Sequence, residues 1–97
     1  MASTKEYLIY ILDLLREVNG ITYKKMMGEY ILYKDGIIFG GIYDNRFLIK
    51  KTKSQVGSNF IEQIPYTGGS AMYLVDIENP AEIKGLVEDI ILDLKTK

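Results

Sequence analysis

The residue types that most often perform chemistry are missing from this 97-residue chain, which contains no histidine and no cysteine. Histidine is the usual general base near neutral pH, cysteine is the usual thiol nucleophile, and both commonly bind structural zinc. A serine–histidine triad, a thiol nucleophile and structural zinc are therefore excluded. A carboxylate-only metal site or an Asp/Glu acid–base pair remains, and the spacing of the acidic residues supports neither. We expect a protein that is not an enzyme, with no catalytic, cofactor-binding or metal-binding residues and no cofactor.

Two glycine pairs are the next candidates for a ligand site. Gly40-Gly41 lies within a β pattern, where glycine marks a bulge or the close approach of a ligand or another backbone. The interpretation we favour is a helix packed tightly over the sheet at this point. Gly68-Gly69 is typical of a turn. Neither pair forms a phosphate-binding loop, because the required spacing and the following Lys-Ser/Thr are missing.

A small basic cluster, formed by Lys50, Lys51 and Lys53, has the charge to contact phosphate. Lysines at the end of a strand more often discourage edge-to-edge aggregation. The eight tyrosines would suit stacking on single-stranded nucleic acid, but tyrosine is also typical of strands and half-buried surfaces. These residues alone do not establish a nucleic-acid site.

Charge is unevenly distributed along the chain, although the net charge is only −1. Residues 21–53 carry seven basic and three acidic side chains, a net of +4, and residues 54–97 carry three basic and seven acidic ones, a net of −4. Such asymmetry steers association with a partner, or it reflects two complementary halves packed together in one fold. With an acidic balance and no basic helix, we expect no strong DNA binding by this chain alone.

Two terminal helices are expected to frame the fold. The first is predicted over 3–18, with Ser3 as N-cap and Glu6 three residues later in a capping box. The second is predicted over 80–95, with Asn79 as N-cap, Pro80 at the first helical position and Glu82 at the third. Each has an apolar stripe at helical spacing. The stripes are Leu8, Ile11, Leu12, Leu15 and Val18 in the first helix, and Ile83, Leu86, Val87, Ile90, Ile91 and Leu94 in the second.

Between the helices, the apolar period changes to two. Asp35-Gly36 is a strong signal for a two-residue hairpin and Asp44-Asn45 a weaker one, since both favour the positive φ angles of such turns. They predict a three-strand meander over 28–34, 37–43 and 46–51, with an optional short strand at 21–25. A short helix is predicted over 52–61, a loop over 65–70 and a fourth strand over 71–76. The expected fold is a single α+β domain over residues 1–97, in the order α-β-β-β-α-β-α.

The two hairpin turns also predict which strand residues lie opposite each other. Tyr33 should face Ile38, Leu32 should face Phe39, Ile31 should face Gly40, Ile42 should face Phe47, and Gly41 should face Leu48. The apolar face expected against the helices then contains Glu29, Ile31, Tyr33, Ile38, Ile42, Phe47 and Ile49.

The opposite face of the meander mixes large apolar groups with cations, and two interpretations of it are open. It is either an exposed patch that binds a partner, or a second half of the core covered by the middle helix or a loop. A one-residue error in either turn would exchange the two faces. Besides Lys34 and Ile37, this face supplies the candidate interaction residues Tyr30, Leu32, Phe39, Tyr43, Arg46, Leu48 and Lys50.

Several segments taken in order resemble the TfoX (Sxy) N-terminal domain family. They are the opening Ser3-Thr4-Lys5-Glu6-Tyr7-Leu8, then Met26-Met27-Gly28-Glu29-Tyr30 and Phe39-Gly40-Gly41-Ile42-Tyr43-Asp44, then Lys50 with Thr52-Lys53-Ser54, and the loop Pro65-Tyr66-Thr67-Gly68-Gly69. The resemblance covers essentially the whole chain. It implies a compact α+β domain with an antiparallel sheet, similar to folds seen in secretion chaperones. Two-domain members, which add a C-terminal helical domain, regulate natural competence together with a cyclic-AMP receptor protein at promoters.

Taken together, these features predict a non-enzymatic cytoplasmic protein-interaction module, regulatory if it follows its two-domain relatives. Lack of cysteine suits a reducing compartment, and neither a signal peptide nor a stretch of the roughly 20 apolar residues that span a bilayer is recognisable, so we expect no membrane association. A protein partner or self-association is the expected interaction. The alternative is a nucleic-acid-binding accessory factor that uses the basic 21–53 region.

Overall fold

A six-stranded antiparallel sheet and two α-helices make up most of the fold in the computed structural model, which describes residues 2–55 and 59–96. The strands lie in the order β1-β2-β3-β4-β6-β5 across the sheet. The predicted α+β class is confirmed. In chain order the elements are α1 (Lys5–Leu14), β1 (Ile21–Met26), β2 (Glu29–Lys34), β3 (Ile37–Ile42), β4 (Phe47–Ile49), a short 3-10 helix (Lys53–Gln55), β5 (Ile61–Gln63), β6 (Met72–Leu74) and α2 (Pro80–Lys95).

The predicted helix over 52–61 is the main error in the element order. Only a single 3-10 turn, Lys53–Gln55, occupies its start, and β5 begins at its last residue, Ile61. Residues 56–58 lie outside the described part of the chain. The 3-10 turn is held to α2, because the Ser54 N–H and hydroxyl both donate to Asp93 Oδ2, at 2.8 and 2.5 Å.

The N-cap of the first helix is one residue later than predicted, Thr4 rather than Ser3. Thr4 Oγ1 accepts a hydrogen bond from the Tyr7 N–H at 3.1 Å, which makes Thr4 the N-cap. The hydroxyl of Ser3 instead donates to Glu29 at 2.6 Å. The helix also ends earlier than expected, at Leu14, yet Val18 still packs in the core from the turns that follow.

The last helix confirms the capping pattern read from the sequence. Asn79 Oδ1 accepts from the N–H groups of Ala81 and Glu82, at 2.9 and 3.3 Å, and Pro80 is the first helical residue. Of its predicted stripe, Ile83, Val87, Ile90 and Ile91 are buried and Leu86 and Leu94 are partly buried. Within the described residues, no helix has the length and apolar character needed to cross a membrane.

The predicted turns of the meander are confirmed, and a third turn of the same kind precedes them. The central residues have φ of 51° and 81° at Asp35-Gly36, and 52° and 54° at Asp44-Asn45. A third pair, Met27 at 53° and Gly28 at 85°, joins β1 to β2. The optional strand at 21–25 is therefore a full member of the sheet, and β1–β4 form a four-strand meander.

One irregularity between β2 and β3 changes which side chains share a face. Tyr33 pairs with Ile38 as predicted, but Leu32 pairs with Gly40 and Ile31 with Gly41, so Phe39 has no partner on β2. The predicted pairs Leu32 with Phe39 and Ile31 with Gly40 are wrong. The pairs Ile42 with Phe47 and Gly41 with Leu48 are confirmed. An extra residue of this kind is a β-bulge, which breaks the strict alternation of side chains.

Because of the bulge, each predicted face is split between the two real ones. We call the side of the sheet that packs against the helices the helix face. Its buried side chains form one apolar cluster with those of α1 and α2. Its sheet residues are Tyr30, Leu32, Phe39, Ile42, Phe47 and Ile49. Of the residues predicted there, only Ile42, Phe47 and Ile49 are correct. The opposite side, here the outer face, contains Glu29, Ile31, Tyr33, Ile38, Gly41, Tyr43 and Leu48.

The two strand glycines are required by neighbouring strands rather than by a helix. A Cβ at Gly40 would collide with the carbonyl oxygen of Leu48 on β4. A Cβ at Gly41 would lie 2.7 Å from both the Tyr30 carbonyl oxygen and the Tyr43 ring. The atoms nearest to both Cβ positions are backbone atoms and the ring of Tyr43, while α2 is the helix that packs against β3.

Candidate functional site

The apolar residues of the predicted interaction face are buried, so that face is not an exposed patch. Tyr30, Leu32 and Phe39 are at most 5% exposed and belong to the core on the helix face. Tyr43 and Leu48 lie on the outer face but are also buried. Of the two interpretations left open by the sequence, the one in which this face is covered applies to these side chains. The structure places the two cations of the set, Arg46 and Lys50, in half-buried positions.

The loop at residues 64–70 lies against Tyr43 through Tyr66, and Arg46 ties this loop to the sheet. Its guanidinium donates to the carbonyl oxygens of Ile64 and Pro65, at 3.3 and 3.2 Å, and to Gln63 Oε1 at 2.7 Å. Its Nε also donates to the Tyr43 carbonyl at 3.1 Å. Arg46 therefore has a structural role in holding the loop.

The part of the outer face beside β1 and β2 is not covered in this way, and it contains an open cavity of about 700 Å³. We call it the methionine cavity. Its wall is mainly apolar and combines the N-terminal segment, the β1–β2 turn, β2 and the loop. The lining residues are Ala2, Met26, Met27, Glu29, Ile31, Tyr43 and Tyr66. Of these, only Tyr43 belongs to the interaction face predicted from the sequence.

Met27 is the most unusual residue of this cavity. It is 97% exposed although its side chain is apolar, and its φ is 53°. A non-glycine residue in the left-handed region costs on the order of 1 kcal/mol, and such residues cluster at functional sites. Neither burial nor backbone preference explains a methionine at this position. Met26 beside it is 47% exposed.

Glu29 fixes the wall of the cavity on its polar side. Its Oε1 accepts from the Ser3 N–H at 3.0 Å, from the Ser3 hydroxyl at 2.6 Å and from the Asp44 N–H at 3.2 Å. One carboxylate thereby joins the segment before α1, strand β2 and the β3–β4 turn. The side chain that anchors this wall is charged, but its oxygens are already used by protein donors.

A second, more polar cavity of about 640 Å³ adjoins the first and shares Glu29 and Tyr66 with it. We call it the polar cavity. It also contains Asp44 and Arg46. Arg46 is occupied by the loop carbonyls, whereas the exposed Asp44 carboxylate forms no ion pair with any residue that the structure describes. The two cavities together form a groove with an apolar part and a part that contains two carboxylates.

The tyrosines around this groove are suited to contact rather than to proton transfer. Burial raises the pKa of Tyr43, and the neighbouring Tyr66 and Glu29 raise it further. The rings of Tyr43 and Tyr66 lie 6.0 Å apart between centroids. Tyr43 therefore stays neutral at physiological pH and presents an aromatic surface to the cavity.

The basic cluster predicted from Lys50, Lys51 and Lys53 is partly engaged by the protein itself. Lys51 Nζ lies 3.2 Å from Glu62 Oε1 and 5.5 Å from the centroid of the Tyr73 ring. Lys50 and Lys51 follow the end of β4 at Ile49, and Lys53 lies in the 3-10 turn. Within residues 2–55 and 59–96, no group of three or more acidic, histidine or cysteine side chains is placed to hold a metal ion.

Comparison with known proteins adds no family to this description. No protein-family model matches the chain. A search of curated proteins also finds no match. The similarity to the TfoX N-terminal domain therefore stays a prediction that depends on the sequence segments quoted above.

Proposed function

We propose that this chain is a non-enzymatic protein-interaction module that binds an apolar segment of a protein partner in the methionine cavity. The observation that carries the proposal is the fully exposed, left-handed Met27 at the rim of an open apolar cavity. An exposed apolar side chain held in an unfavourable backbone conformation does not stabilise the fold of the isolated chain. A partner that covers it would recover the hydrophobic free energy that folding leaves unused.

The chemistry of the cavity wall favours a flexible apolar ligand group. Methionine side chains are unbranched and polarizable, so they adapt to differently shaped partners and are common at surfaces that bind several of them. Tyr43 and Tyr66 add rigid aromatic area, which is enriched at the centres of protein interfaces. The exposed Asp44 carboxylate of the adjoining polar cavity would orient a partner by attracting a basic group beside its apolar segment.

The cellular setting of this module comes from the TfoX resemblance. We propose a cytoplasmic protein with a regulatory role, acting through protein contacts as its two-domain relatives do. The rival role in nucleic-acid binding has less support from the side chains, because several cations of the 21–53 region already contact protein groups. Arg46 is bonded to the loop, Lys51 pairs with Glu62, and Lys34 donates to the Asn19 carbonyl at 2.8 Å.

Affinity capture with matched variants tests the proposal. Met27→Asn removes the apolar side chain and introduces asparagine, a residue that tolerates the left-handed region. Leu92→Asn is the control, because Leu92 is a comparably apolar residue, 61% exposed, on α2 and outside the cavity. We expect at least one protein that is held by the wild type and by Leu92→Asn to be lost with Met27→Asn. Met26→Thr is a second variant that removes an apolar side chain from the same cavity. If Met27→Asn and Met26→Thr both retain the same proteins in the same amounts as wild type, the cavity is not the binding site.

A further inference from the structure

We propose that the partner in the methionine cavity is a second copy of this chain, in a twofold dimer whose β1–β2 turns insert into each other's cavities. The inference rests on the proposed function, because it names the occupant of the same cavity. It follows from three features: the projecting group and the cavity lie side by side, the charges match, and the lysines of β1 oppose dimerisation through that edge of the sheet.

The projecting group and the cavity belong to one continuous surface. A twofold interface uses the same patch on both subunits, so that patch must be complementary to itself. Met27 projects fully into solvent at the rim of the cavity that it helps to line. A rotation by 180° about an axis near this rim would place Met27 of each copy over the cavity of the other, against Ile31 and Tyr43. A patch with only a cavity, or only a projecting group, would need a different partner.

Charge complementarity points to the same occupant. Lys24 pairs with Ile31 across β1 and β2, so its side chain lies on the outer face, two residues before Met26. It is exposed, and no ion pair joins it to a residue within 2–55 or 59–96. Lys24 therefore lies about 7 Å from Met26, given the rise of an extended strand, and precedes the projecting Met27 by three residues. In the polar cavity that adjoins the methionine cavity, the matching group is the exposed Asp44 carboxylate, because Glu29 is already bonded to Ser3 and Asp44, and Arg46 is bonded to the loop carbonyls.

The alternative of joining two sheets edge to edge is opposed by the same strand. β1 is at one edge of the sheet and five of its six residues are exposed. Lys24 and Lys25 lie in its middle. Because Lys24 and Lys25 lie on opposite faces, two copies of β1 paired about a twofold axis would bring two like charges close together on each face, which destabilises cross-strand pairing and is a common protection of edge strands. The geometry thus points to contact through the outer face, with the backbone edge left free.

Sedimentation velocity on the full chain tests the dimer, at protein concentrations from about 1 µM to about 1 mM, the range of a moderate to weak self-association. We expect a reversible monomer–dimer equilibrium for the wild type. Met27→Asn should raise the dissociation constant by about tenfold or more, since it removes the central apolar contact. Leu92→Asn should leave the dissociation constant unchanged.

A second pair of variants separates loss of contact from loss of fold. Lys24→Glu reverses the charge at the rim and should also weaken the dimer by about tenfold at low salt. Lys84→Glu, the same change at an exposed position of α2, should have no effect. Circular dichroism on each variant at low concentration should give the wild-type spectrum, because both lysines are exposed. A dimer that is insensitive to both Met27→Asn and Lys24→Glu overturns the proposed interface.

A wild type that stays monomeric up to about 1 mM overturns the second copy as partner but not the proposed function. In that case a protein captured by the wild type and lost with Met27→Asn identifies a different occupant of the same cavity. If Met27→Asn changes neither self-association nor capture, the proposed function fails together with the dimer.

Discussion

Leu32 on β2 lies opposite Gly40 on β3, and Phe39 is left between two paired residues without a partner of its own. Phe39 points into the core with 0% exposure, while Ile38 before it is 38% exposed on the outer face. Phe39 and Ile42 are three positions apart on β3, yet both point into the core, because the extra residue breaks the alternation between them. Ile31, opposite Gly41, lies on the other face and lines the methionine cavity.

Gly40→Ala tests how strictly this arrangement depends on the close approach of β3 and β4. The added Cβ would collide with the Leu48 carbonyl oxygen and lie 3.1 Å from the Ile49 Cα, both of which are backbone atoms that cannot rotate away. We expect a loss of about 2–4 kcal/mol of unfolding free energy, measured by urea denaturation. Gly85→Ala is the control, since nothing lies within 4 Å of its Cβ position on α2. That change should stabilise the protein by about 1 kcal/mol. Equal stability of the two variants would contradict the collision.

Arg46→Met tests the attachment of the 64–70 loop to the sheet. The change keeps a long side chain but removes the donors that bind the carbonyls of Ile64 and Pro65. We expect faster amide exchange in the loop and a loss of about 1–3 kcal/mol of stability, because hydrogen bonds to a charged group are lost. Arg16→Met is the matched control, since the exposed Arg16 guanidinium bonds to the carboxylate and carbonyl of Asp13, three residues before it, and not to the loop. Unchanged exchange in residues 64–70 would show that another contact holds the loop.

Asp93→Asn should destabilise the protein in a pH-dependent way. The Ser54 hydroxyl, followed by the Thr52 hydroxyl and the Ser54 N–H, lowers the pKa of Asp93 in the folded state. A carboxyl whose pKa is lower when folded contributes stability above its unfolded pKa, about 4, and this contribution is lost as the pH falls through the folded value. The difference in thermal midpoint between wild type and variant should therefore be largest near pH 7 and shrink below about pH 4. A difference that stays constant from pH 7 to about pH 2 would show that the charge of Asp93 is not involved.

The chain alone is expected to bind duplex DNA only weakly. Affinity for duplex DNA depends largely on neutralising phosphates, and the net charge of −1 and the engaged Arg46, Lys34 and Lys51 leave few cations for it. We expect a dissociation constant no tighter than about 10⁻⁴–10⁻⁶ M at physiological salt, the range of non-specific contact. Fluorescence anisotropy with a labelled duplex measures it. Sequence-selective binding at nanomolar concentration would favour the nucleic-acid role over the protein-interaction role.

Much of the fold was predictable because the signals are local. Asp35-Gly36 and Asp44-Asn45 form the turns that their backbone preferences indicate. Asn79 caps α2 through its own side chain, within three residues along the chain. The β1–β2 turn was readable in principle, since Met27-Gly28 separates two alternating segments, but methionine is a poor residue for positive φ and gave no turn signal. In each correct case, the residues that determine the conformation are neighbours in sequence.

The candidate site depended on contacts that the sequence does not display. A strict two-residue alternation assigns Ile31 to the core and Phe39 to the opposite face, and the bulge that reverses both depends on packing among three strands and two helices. The contact of Tyr66 with Tyr43 depends on a loop whose carbonyls are bonded by Arg46, about twenty residues away in the chain. The sequence by itself determined the α+β class, the turns and the caps, because short-range hydrogen bonds and φ preferences select them. Only the tertiary structure decided which face is open and that Met27 stands exposed beside a cavity, because burial is a property of the whole packed chain.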